Sequence, residues 1–274
     1  MIHFPLHHRI RNRLRSTFAR DVLVAYRHRG LLPEDVILSS FPKSGTTWLT
    51  FMLAHLLWQS GREQTLVDDR FLPRLGYQNR AEKKLPSGGR LIRSHEPYRA
   101  AYRKAIYVVR DGRDAAVSMY WHSKRVMGMV ADFSDYLPLF LEGRLTGAGS
   151  WSTHVEGWLN SPPYAAGNVL VARYEDMKSQ PVEVLQKAAA FLSIDASDAA
   201  IADAIDAGSL DSMKERERKT KGLAHKETGE KIPVVRKGVV GDWRNYFTEA
   251  DEREFMRVAG GAMARLGYAT SNKT

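Results

Sequence analysis

A polar stretch at residues 41–48 contains one lysine, one glycine and three hydroxyl side chains, which together could bind an anion. Its sequence is Phe41-Pro42-Lys43-Ser44-Gly45-Thr46-Thr47-Trp48. The preceding residues 34–40 predict a buried strand, and residues 49–58 predict a largely buried helix. A tight loop between a strand and a helix directs backbone N–H groups and the positive end of the helix dipole at one point. The stretch therefore predicts an anion site, with Lys43 adding charge and Gly45 allowing close approach of the backbone.

The common ATP-binding loop, G-x-x-x-x-G-K-[ST], is a different pattern. Its lysine follows a glycine, whereas here Lys43 precedes Gly45 and no glycine lies upstream in the loop. An ordinary polar turn between a strand and a helix would also fit, but the density of donors at one helix start favours an anion site. ATP is not indicated.

A histidine follows the next predicted strand. Residues 90–95 predict that strand, and the pair Glu96-Pro97 ends it, so His95 lies at its carboxyl end. Ligands of open α/β sheets bind at the carboxyl ends of the strands, where the anion loop is also expected. A single histidine is more often structural than catalytic, but this position makes His95 a candidate general base.

An arginine follows the clearest strand, which is predicted over residues 104–111. Arg110 falls at its end, and Ser118 lies in the second turn of the helix predicted after it. A planar guanidinium can bind a phosphate group. A salt bridge to Asp111 or Asp114 is the simpler alternative.

Size and charge set limits on the function. The chain has 274 residues, 43% of them hydrophobic, which suits one large α/β domain or two small ones. The sequence has no cysteine, no bilayer-length apolar run and no signal-peptide apolar region, so we expect a cytoplasmic protein. The net charge of +10 favours anionic partners, but no nucleic-acid recognition motif occurs and we expect no nucleic-acid partner.

The first 33 residues are basic, and apolar residues recur there every four positions. They are Ile10, Leu14, Phe18 and Val22. This spacing predicts a helix, which we expect to pack on the edge of the domain with its basic face in solvent. The alternative is a helix over residues 9–22 that contacts a membrane surface, making the protein peripheral to the membrane.

The rest of the chain predicts alternating elements. Residues 168–177 predict a strand, and helices are predicted over residues 181–192, 199–207 and 249–266. Helical spacing places Trp151, Val155 and Trp158 on one face, which indicates core packing. Residues 214–237 are charged and poor in apolar residues and predict a mobile loop.

Several segments, in this order, resemble those of the sulfotransferases that use 3′-phosphoadenosine 5′-phosphosulfate (PAPS), close to the cytosolic aryl/alcohol type. Residues 42–48 are similar to the family's 5′-phosphosulfate loop, Ser94-His95-Glu96-Pro97 to its T-H-x-P, and Arg110 with Ser118 to its 3′-phosphate site. Further similarities are residues 149–158 to G-S-W-x-x-H-V-x-x-W, residues 174–177 to Y-E-D-M, and residues 236–243 to R-K-G-x-x-G-D-W. The resemblance runs from Glu34 to the C-terminus.

The resemblance implies a fold and a reaction. The fold is a single α/β domain over residues 34–274, with a central, mainly parallel sheet flanked by helices, of the P-loop-NTPase-like sulfotransferase type. A basic segment of residues 1–33 precedes it. The reaction is in-line transfer of a sulfuryl group from PAPS to an acceptor hydroxyl, leaving adenosine 3′,5′-bisphosphate (PAP). No metal is expected.

The resemblance also implies roles for individual residues. His95 would be the general base, Lys43 would neutralise charge on the oxygen bridging sulfur and phosphorus, and Arg93 would assist the sulfuryl group. The residues that would hold the 5′-phosphate are Ser44, Gly45, Thr46 and Thr47, and Lys43 would bind the cofactor beside them. The residues of the adenine side would be Trp48, Tyr174, Ser209 and Met213. The residues that would hold the 3′-phosphate are Arg110, Ser118, Arg236, Lys237 and Gly238. The last three would close over it at the end of a lid, residues 214–237, which would become ordered when the cofactor binds.

Three departures from the family pattern stand out. Glu96 replaces an apolar residue beside the base, which favours a polar or lipid-linked hydroxyl, such as that of a glycolipid, over a simple phenol. Gly208 and Leu210 replace the Thr and Phe of the adenine-packing segment. The family's small dimer motif is not kept, since Arg244, Thr248, Glu249 and Arg253 stand in its places.

Two other functions remain as alternatives. A phosphotransferase that uses the loop for a nucleotide would need acidic magnesium ligands, for which Asp111 is the candidate. A non-catalytic basic module that binds anions or glycans would explain the charge of the chain but not His95 and Lys43 at one sheet edge.

Overall fold

A computed structural model describes residues 18–58, 72–82, 85–219 and 238–268 of the chain. The strands are β1 (Val36–Ser40), β2 (Leu91–Ser94), β3 (Lys104–Val109) and β4 (Val169–Arg173). The helices are α1 (Phe18–Arg27), α2 (Thr46–Trp58), α3 (Gly112–Met127), α4 (Phe133–Leu141), α5 (Trp151–Leu159), α6 (Pro162–Ala165), α7 (Tyr174–Ser179), α8 (Pro181–Phe191), α9 (Asp198–Ala207), α10 (Leu210–Lys219) and α11 (Glu249–Arg265). Short 3-10 helices span Gln78–Arg80 and Asp242–Asn245.

The described strands form a parallel sheet in the order β2-β1-β3-β4. Strand β1 is central: Ile37 lies opposite Ile92 of β2 on one side and opposite Ala105 of β3 on the other. The chain moves outward from β1 to β2 and then crosses to the far side of β1 for β3. This reversal opens a crevice at the carboxyl ends of β1 and β3, where ligands bind in open α/β sheets. The predicted fold class, a single α/β domain with a parallel sheet between helices, is confirmed.

Two apolar layers cover the sheet, because successive strand side chains point to opposite faces. Ile37 and Tyr107 are buried in the layer that α3, α4, α5 and α11 complete. Leu38 and Val108 are buried in the layer that α2, α8 and α9 complete. The aromatic face predicted for α5 is confirmed, since its two tryptophans and Val155 are at most 2% exposed.

Three predicted boundaries were wrong by three residues or more. Helix α2 already begins at Thr46, so the last residues of the anion loop form its first turn. Strand β4 ends at Arg173, and the next residues turn into α7, where Glu175 accepts a hydrogen bond at 3.0 Å from the backbone of Asp111. Residues 214–219 belong to α10 instead of a mobile loop, because the buried Met213 anchors that helix. The rest of the predicted loop and lid, residues 220–237, lies outside the described residues.

Helix α1 does not pack as expected. Among the residues of the helix from position 22 onward, Val24 is buried, whereas Val22 is 54% exposed. The chain just after the helix is anchored by His28, whose Nε2 lies 2.7 Å from the hydroxyl of Tyr102. The earlier part of the predicted amphipathic helix, residues 9–17, lies outside the described residues. Among the helices of the described ranges, none combines the length and the apolarity that a membrane span requires.

Candidate active site

The carboxyl ends of the four strands bring the predicted site residues to one edge of the sheet. The anion loop of residues 41–48 follows β1, His95 follows β2, Arg110 follows β3 and Tyr174 follows β4. Because β1 lies between β2 and β3, the loop separates His95 from Arg110. The edge therefore has a base candidate on its β2 side and anion-binding groups along β1 and β3.

The backbone of the anion loop is turned sharply. Lys43 and Gly45 both have left-handed conformations, with φ of 73° and 96°. Such turns let successive N–H groups converge on an anion, and a lysine in this region is strained unless its surroundings hold it there. A Cβ atom on Gly45 would lie 2.4 Å from Cδ2 of Tyr174. Glycine is therefore required both by the backbone angle and by the ring of Tyr174 against the loop.

Two hydroxyls of the loop are buried but differ in their partners. The hydroxyl of Thr46 hydrogen-bonds to that of Ser40 at the end of β1. Ser44 is 1% exposed, and its Oγ has no hydrogen-bond partner within the described ranges. Since nearly all buried polar groups are paired, an unpaired hydroxyl inside an anion loop indicates a place for a ligand atom. Lys43 and Thr47 are half-buried beside it.

His95 is held by the end of the neighbouring strand. Its Nδ1 lies 3.0 Å from the carbonyl oxygen of Ser40 and 3.2 Å from the hydroxyl of the same residue. A carbonyl oxygen only accepts hydrogen bonds, so Nδ1 carries the proton and Nε2 keeps its lone pair. Ser40 thereby connects His95 to Thr46 of the anion loop. Ser40 was not predicted from the sequence, although a hydroxyl at the end of a buried strand is visible there.

The surroundings keep His95 neutral. Part of its side chain is exposed, but surrounding protein atoms, with the charged Arg93 and Lys43 nearby, desolvate the ring. Desolvation lowers the pKa of His95 from its ordinary 6.5, and the positive charges of Arg93 and Lys43 lower it further, while the hydrogen bond with Ser40 acts in the opposite direction. Arg93 is half-buried, with its Nε donating to the carbonyl oxygen of Leu72 at 2.8 Å. A neutral imidazole beside two cations is suited to accept a proton.

Arg110 is buried, and its guanidinium group contacts several neighbouring residues. It stacks on the ring of Tyr174 at 4.4 Å, donates to the carbonyl oxygen of Val239 at 2.9 Å and lies 3.5 Å from Asp114. The simpler alternative, a salt bridge to Asp114, is therefore present, whereas Asp111 pairs with Arg113 at 2.8 Å. The buried Nε of Arg110, however, has no hydrogen-bond partner in the described part of the chain. The salt bridge to Asp114 therefore does not explain the buried Nε of this guanidinium group.

Asp114 connects the start of α3 to the segment that begins at residue 238. Its Oδ2 accepts from the backbone N–H of Gly241 at 2.8 Å and its Oδ1 accepts from that of Trp243 at 2.9 Å. We call this pair of hydrogen bonds the Asp114 clamp. It holds the chain near Gly238, which has a left-handed φ of 64°. Arg236 and Lys237 lie outside the described residues.

Two residues of α3 lie on one face of that helix. Ser118 and His122 are half-buried and four positions apart, which is about one helical turn. Desolvation and then the charge of Lys43 lower the pKa of His122 to about 4. The helix therefore carries a second neutral histidine within the field of the anion loop. His122 was not predicted from the sequence, although its helical spacing from Ser118 is visible there.

A pair of aromatic residues borders the anion loop on its β4 side. Trp48 meets the ring of Tyr174 edge-on at 5.8 Å, and Nζ of Lys178 lies 5.3 Å from the Trp48 ring. A Cβ atom on Gly208 would lie 3.2 Å from Nε1 of Trp48, and that Nε1 lacks a hydrogen-bond partner within the described residues. The small residue at 208 thus lets the end of α9 approach the tryptophan.

The other two adenine-side candidates lie at the start of α10. Ser209 is exposed, and its hydroxyl donates to that of Ser212 at 2.8 Å. Met213 is buried. Ser209 is therefore engaged at the helix start, and Met213 contributes to packing.

His154 of α5 packs in the core beside the tryptophans of that helix. It is fully buried, its Nδ1 lies 2.8 Å from the Tyr107 hydroxyl, and desolvation lowers its pKa to about 3.

Known proteins resemble this chain over most of its length. The family model described as "Sulfotransferase domain" matches residues 33–267. The chain is 30% identical over 265 residues to mouse sulfotransferase 2A2, covering 90% of this chain and 91% of that protein. It is also 30% identical over 250 residues to human sulfotransferase 2A1, covering 85% of each.

Solved structures give the same result. Mouse sulfotransferase SULT7A1 complexed with PAP superposes with a TM-score of 0.69 at 29% identity, covering 90% of this chain and 93% of that one. A retinol dehydratase in a complex with retinol and PAP superposes with a TM-score of 0.65 at 20% identity, covering 89% and 86%, and supports the fold alone. Because the family model spans the strands, the anion loop and the clamp together, the chain belongs to the sulfotransferase family.

Proposed function

We propose that this sulfotransferase takes its sulfuryl group from PAPS and passes it to an acceptor hydroxyl, with His95 as the general base. The observation that carries the proposal is the link between His95 and the anion loop through Ser40, at the ends of two adjacent parallel strands. The mouse structure that resembles this chain over 90% of its length contains PAP. A base and an anion-binding loop side by side suit transfer of a charged group to a hydroxyl.

The residues present fit such a donor. Buried donors without partners in the described ranges occur on Ser44, Arg110 and Trp48, which belong to the three parts of the proposed site. Ser44, Gly45, Thr46 and Thr47 would hold the 5′-phosphate, Arg110, Ser118 and Gly238 the 3′-phosphate, and Trp48 with Tyr174 the adenine. Arg236 and Lys237 are proposed for the 3′-phosphate, Ser209 and Met213 for the adenine side, from the family resemblance alone.

When bound, PAPS would supply a sulfuryl group activated by its bond to the 5′-phosphate, and PAP would be the leaving group. The chain has three tasks around it. Nε2 of His95 takes the proton of the acceptor hydroxyl, while Nδ1–H remains bonded to Ser40 and fixes the ring. Lys43 neutralises charge at the phosphate end, and Arg93 contributes positive charge beside His95.

The acceptor is proposed to be a polar or lipid-linked hydroxyl, such as that of a glycolipid. Glu96 follows the base, and its carboxylate lies 3.9 Å from Arg99. The neutral His122 lies within the field of Lys43 and adds a further polar group near the loop. Polar groups in a site select partners that can hydrogen-bond them, because unpaired ones are costly.

Calorimetric titration with PAP, with ATP as the control ligand, tests the donor. We expect tight binding of PAP and weaker binding of ATP. Replacing Arg110 with alanine should weaken PAP binding by tenfold or more, because charged hydrogen bonds contribute about 1.5–3 kcal/mol. Arg144→Ala is the matched control, since that arginine is 66% exposed and pairs only with Glu142 among its described ion pairs. Equal affinity for ATP, or an unchanged Arg110 variant, would contradict the proposal.

The alternative of a nucleotide phosphotransferase is less well supported. Its candidate magnesium ligand, Asp111, uses both carboxylate oxygens to bind Arg113 at 3.1 and 2.8 Å. No three His, Cys, Asp or Glu side chains gather as a metal site within the ranges that the structure describes. A non-catalytic module would leave the link between His95 and the loop without a purpose.

A further inference from the structure

Helix α1 presents apolar side chains to solvent. Val22, Leu23 and Tyr26 are 54%, 47% and 61% exposed, although a helix packed on a domain edge would bury such residues. The orientation is fixed by contacts on the other side. Val24 is 6% exposed, and His28 is bonded to Tyr102 in the core.

A second segment continues this surface. Nε2 of Gln78 donates to the carbonyl oxygens of Arg27 at 2.6 Å and Arg29 at 2.8 Å, which ties residues 72–80 to the end of α1. Tyr77 beside it is 46% exposed. We define the docking surface by its exposed residues: Val22, Leu23, Tyr26, Arg27, Arg29, Arg74, Tyr77 and Arg80.

The docking surface is basic as well as apolar. Neither residues 22–33 nor residues 72–81 contain an acidic side chain. The guanidinium of Arg29 lies 5.4 Å from the ring of Tyr26, and that of Arg74 lies 5.1 Å from the ring of Tyr77. In the sequence, Arg9, Arg11, Arg13 and Arg15 precede α1 and Arg20 lies within it, against a single acid, Asp21, among the first 33 residues.

We propose that the docking surface binds the surface of an anionic lipid membrane. Aliphatic residues and tyrosines beside arginines match the boundary between lipid headgroups and acyl chains, where apolar side chains insert and guanidinium groups meet phosphates. A nucleic-acid partner would use the arginines but would leave Val22 and Leu23 unused. No helix in the described ranges crosses the bilayer, so the contact is peripheral.

The docking surface borders the strand that carries the base. The backbone N–H of Arg93 donates to the carbonyl oxygen of Pro73 at 2.8 Å, and that of Leu75 donates to Arg93 at 2.9 Å. Binding through this surface would hold the β2 side of the cleft near the bilayer. That orientation suits a lipid-linked acceptor, but membrane binding itself does not depend on the proposed reaction.

Vesicle flotation of the full chain, without cofactor or acceptor, tests this inference. We expect flotation with phosphatidylcholine vesicles that contain phosphatidylserine, much less with phosphatidylcholine alone, and a decrease as salt screens the charges. The double variant Arg27→Gln/Arg29→Gln should bind about 25-fold less tightly, because each basic residue near an anionic surface contributes about fivefold. The variant Leu23→Ser/Tyr26→Ser should also lose binding.

Matched controls separate the docking surface from general charge and stickiness. Val182→Ser removes an apolar residue of similar exposure, 49%, from α8 on the β4 side of the sheet, and should leave flotation unchanged. Circular dichroism confirms that each variant is folded. Absence of phosphatidylserine-dependent flotation, or an equal loss in the Val182 control, would overturn the inference. So would a concentration-dependent dimer that Leu23→Ser/Tyr26→Ser dissociates, since a second copy would then be the partner.

Discussion

In the proposed mechanism, the charge of His95 decides when the site can act. As a base it must be neutral, and its pKa is lowered from 6.5 by desolvation and by the charges of Arg93 and Lys43. The neutral form therefore persists as the pH falls below 6.5, and activity should be lost only when the pH falls through the lowered pKa. We expect kcat/KM to fall on the acid side with an inflection below pH 6.5.

The variant Arg93→Gln sharpens this prediction. Removing one of the two cations should move the acid inflection toward higher pH, because the protonated imidazole would be less disfavoured. His95→Ala should abolish the acid limb and reduce kcat by 10²-fold or more, as loss of a general base does. PAP binding to His95→Ala, measured by calorimetry, should be nearly unchanged. An inflection above pH 6.5 in the unsubstituted protein would contradict this account of His95.

Gly45 allows a prediction with an internal control. Alanine at residue 45 would meet Tyr174 at 2.4 Å in addition to the strain of its positive φ, whereas alanine at Gly88, with a φ of 84°, would meet nothing within 4 Å. A left-handed alanine costs about 1–2 kcal/mol, so both variants should lose that amount in urea unfolding. Only Gly45→Ala should lose more and also bind PAP at least tenfold more weakly.

The site residues that the sequence could predict share one property. His95 and Arg110 each lie directly after a strand, and Lys43 lies in the loop that follows β1, so the carboxyl edge of a parallel sheet brings these candidates to one place. Ser40 and His122 could not be assigned in this way. The role of Ser40 depends on the register of β1 with β2, and that of His122 on the side of α3 that faces Lys43.

At the scale of elements, strand cores were predictable and ends were not. The strands are apolar on both faces, which makes their interiors easy to recognise. Their ends depend on distant partners: β4 stops at Arg173 where Glu175 receives hydrogen bonds from Asp111 and from the hydroxyl of Tyr268, 93 residues later. The charged residues 214–219 are helical because α10 continues from the buried Met213. No local pattern contained these contacts.

The Asp114 clamp joins two elements, and its removal should affect both stability and donor binding. An asparagine has one acceptor oxygen, so Asp114→Asn would leave the N–H of Gly241 or Trp243 without its partner. A buried unpaired donor costs about 1–3 kcal/mol. We expect that loss in urea unfolding, together with weaker PAP binding, because the segment near Gly238 is no longer held against α3.

The control for the clamp is Asp203→Asn on the exposed side of α9. It should change neither the free energy of unfolding by more than about 0.5 kcal/mol nor the affinity for PAP. If Asp114→Asn lost stability but kept its PAP affinity, the clamp would be structural without positioning the donor site.

At the scale of the whole molecule, a buried ion pair connects the start of the domain to its edge strand. Arg90 donates to both carboxylate oxygens of Asp35, through Nε at 2.9 Å and through a terminal nitrogen at 2.6 Å. The same guanidinium donates to the carbonyl oxygens of Gln78 and Gly30, each at 2.6 Å. One side chain thus joins the segments before β1, before β2 and beside α1.

Breaking the Asp35–Arg90 pair should lower the free energy of unfolding more than breaking an ion pair on the surface. Asp35→Ala would leave the Arg90 charge buried without its counter-ion, and such losses cost about 3–5 kcal/mol. Glu142→Ala breaks the exposed pair with Arg144, whose side chains are 55% and 66% exposed, and should cost less than about 1 kcal/mol. Urea unfolding of both variants measures the difference. Arg90 also fixes Gln78, which holds the end of α1, so Asp35→Ala should weaken vesicle binding as well. Equal stability of the Asp35→Ala and Glu142→Ala variants would refute the role assigned to the buried pair.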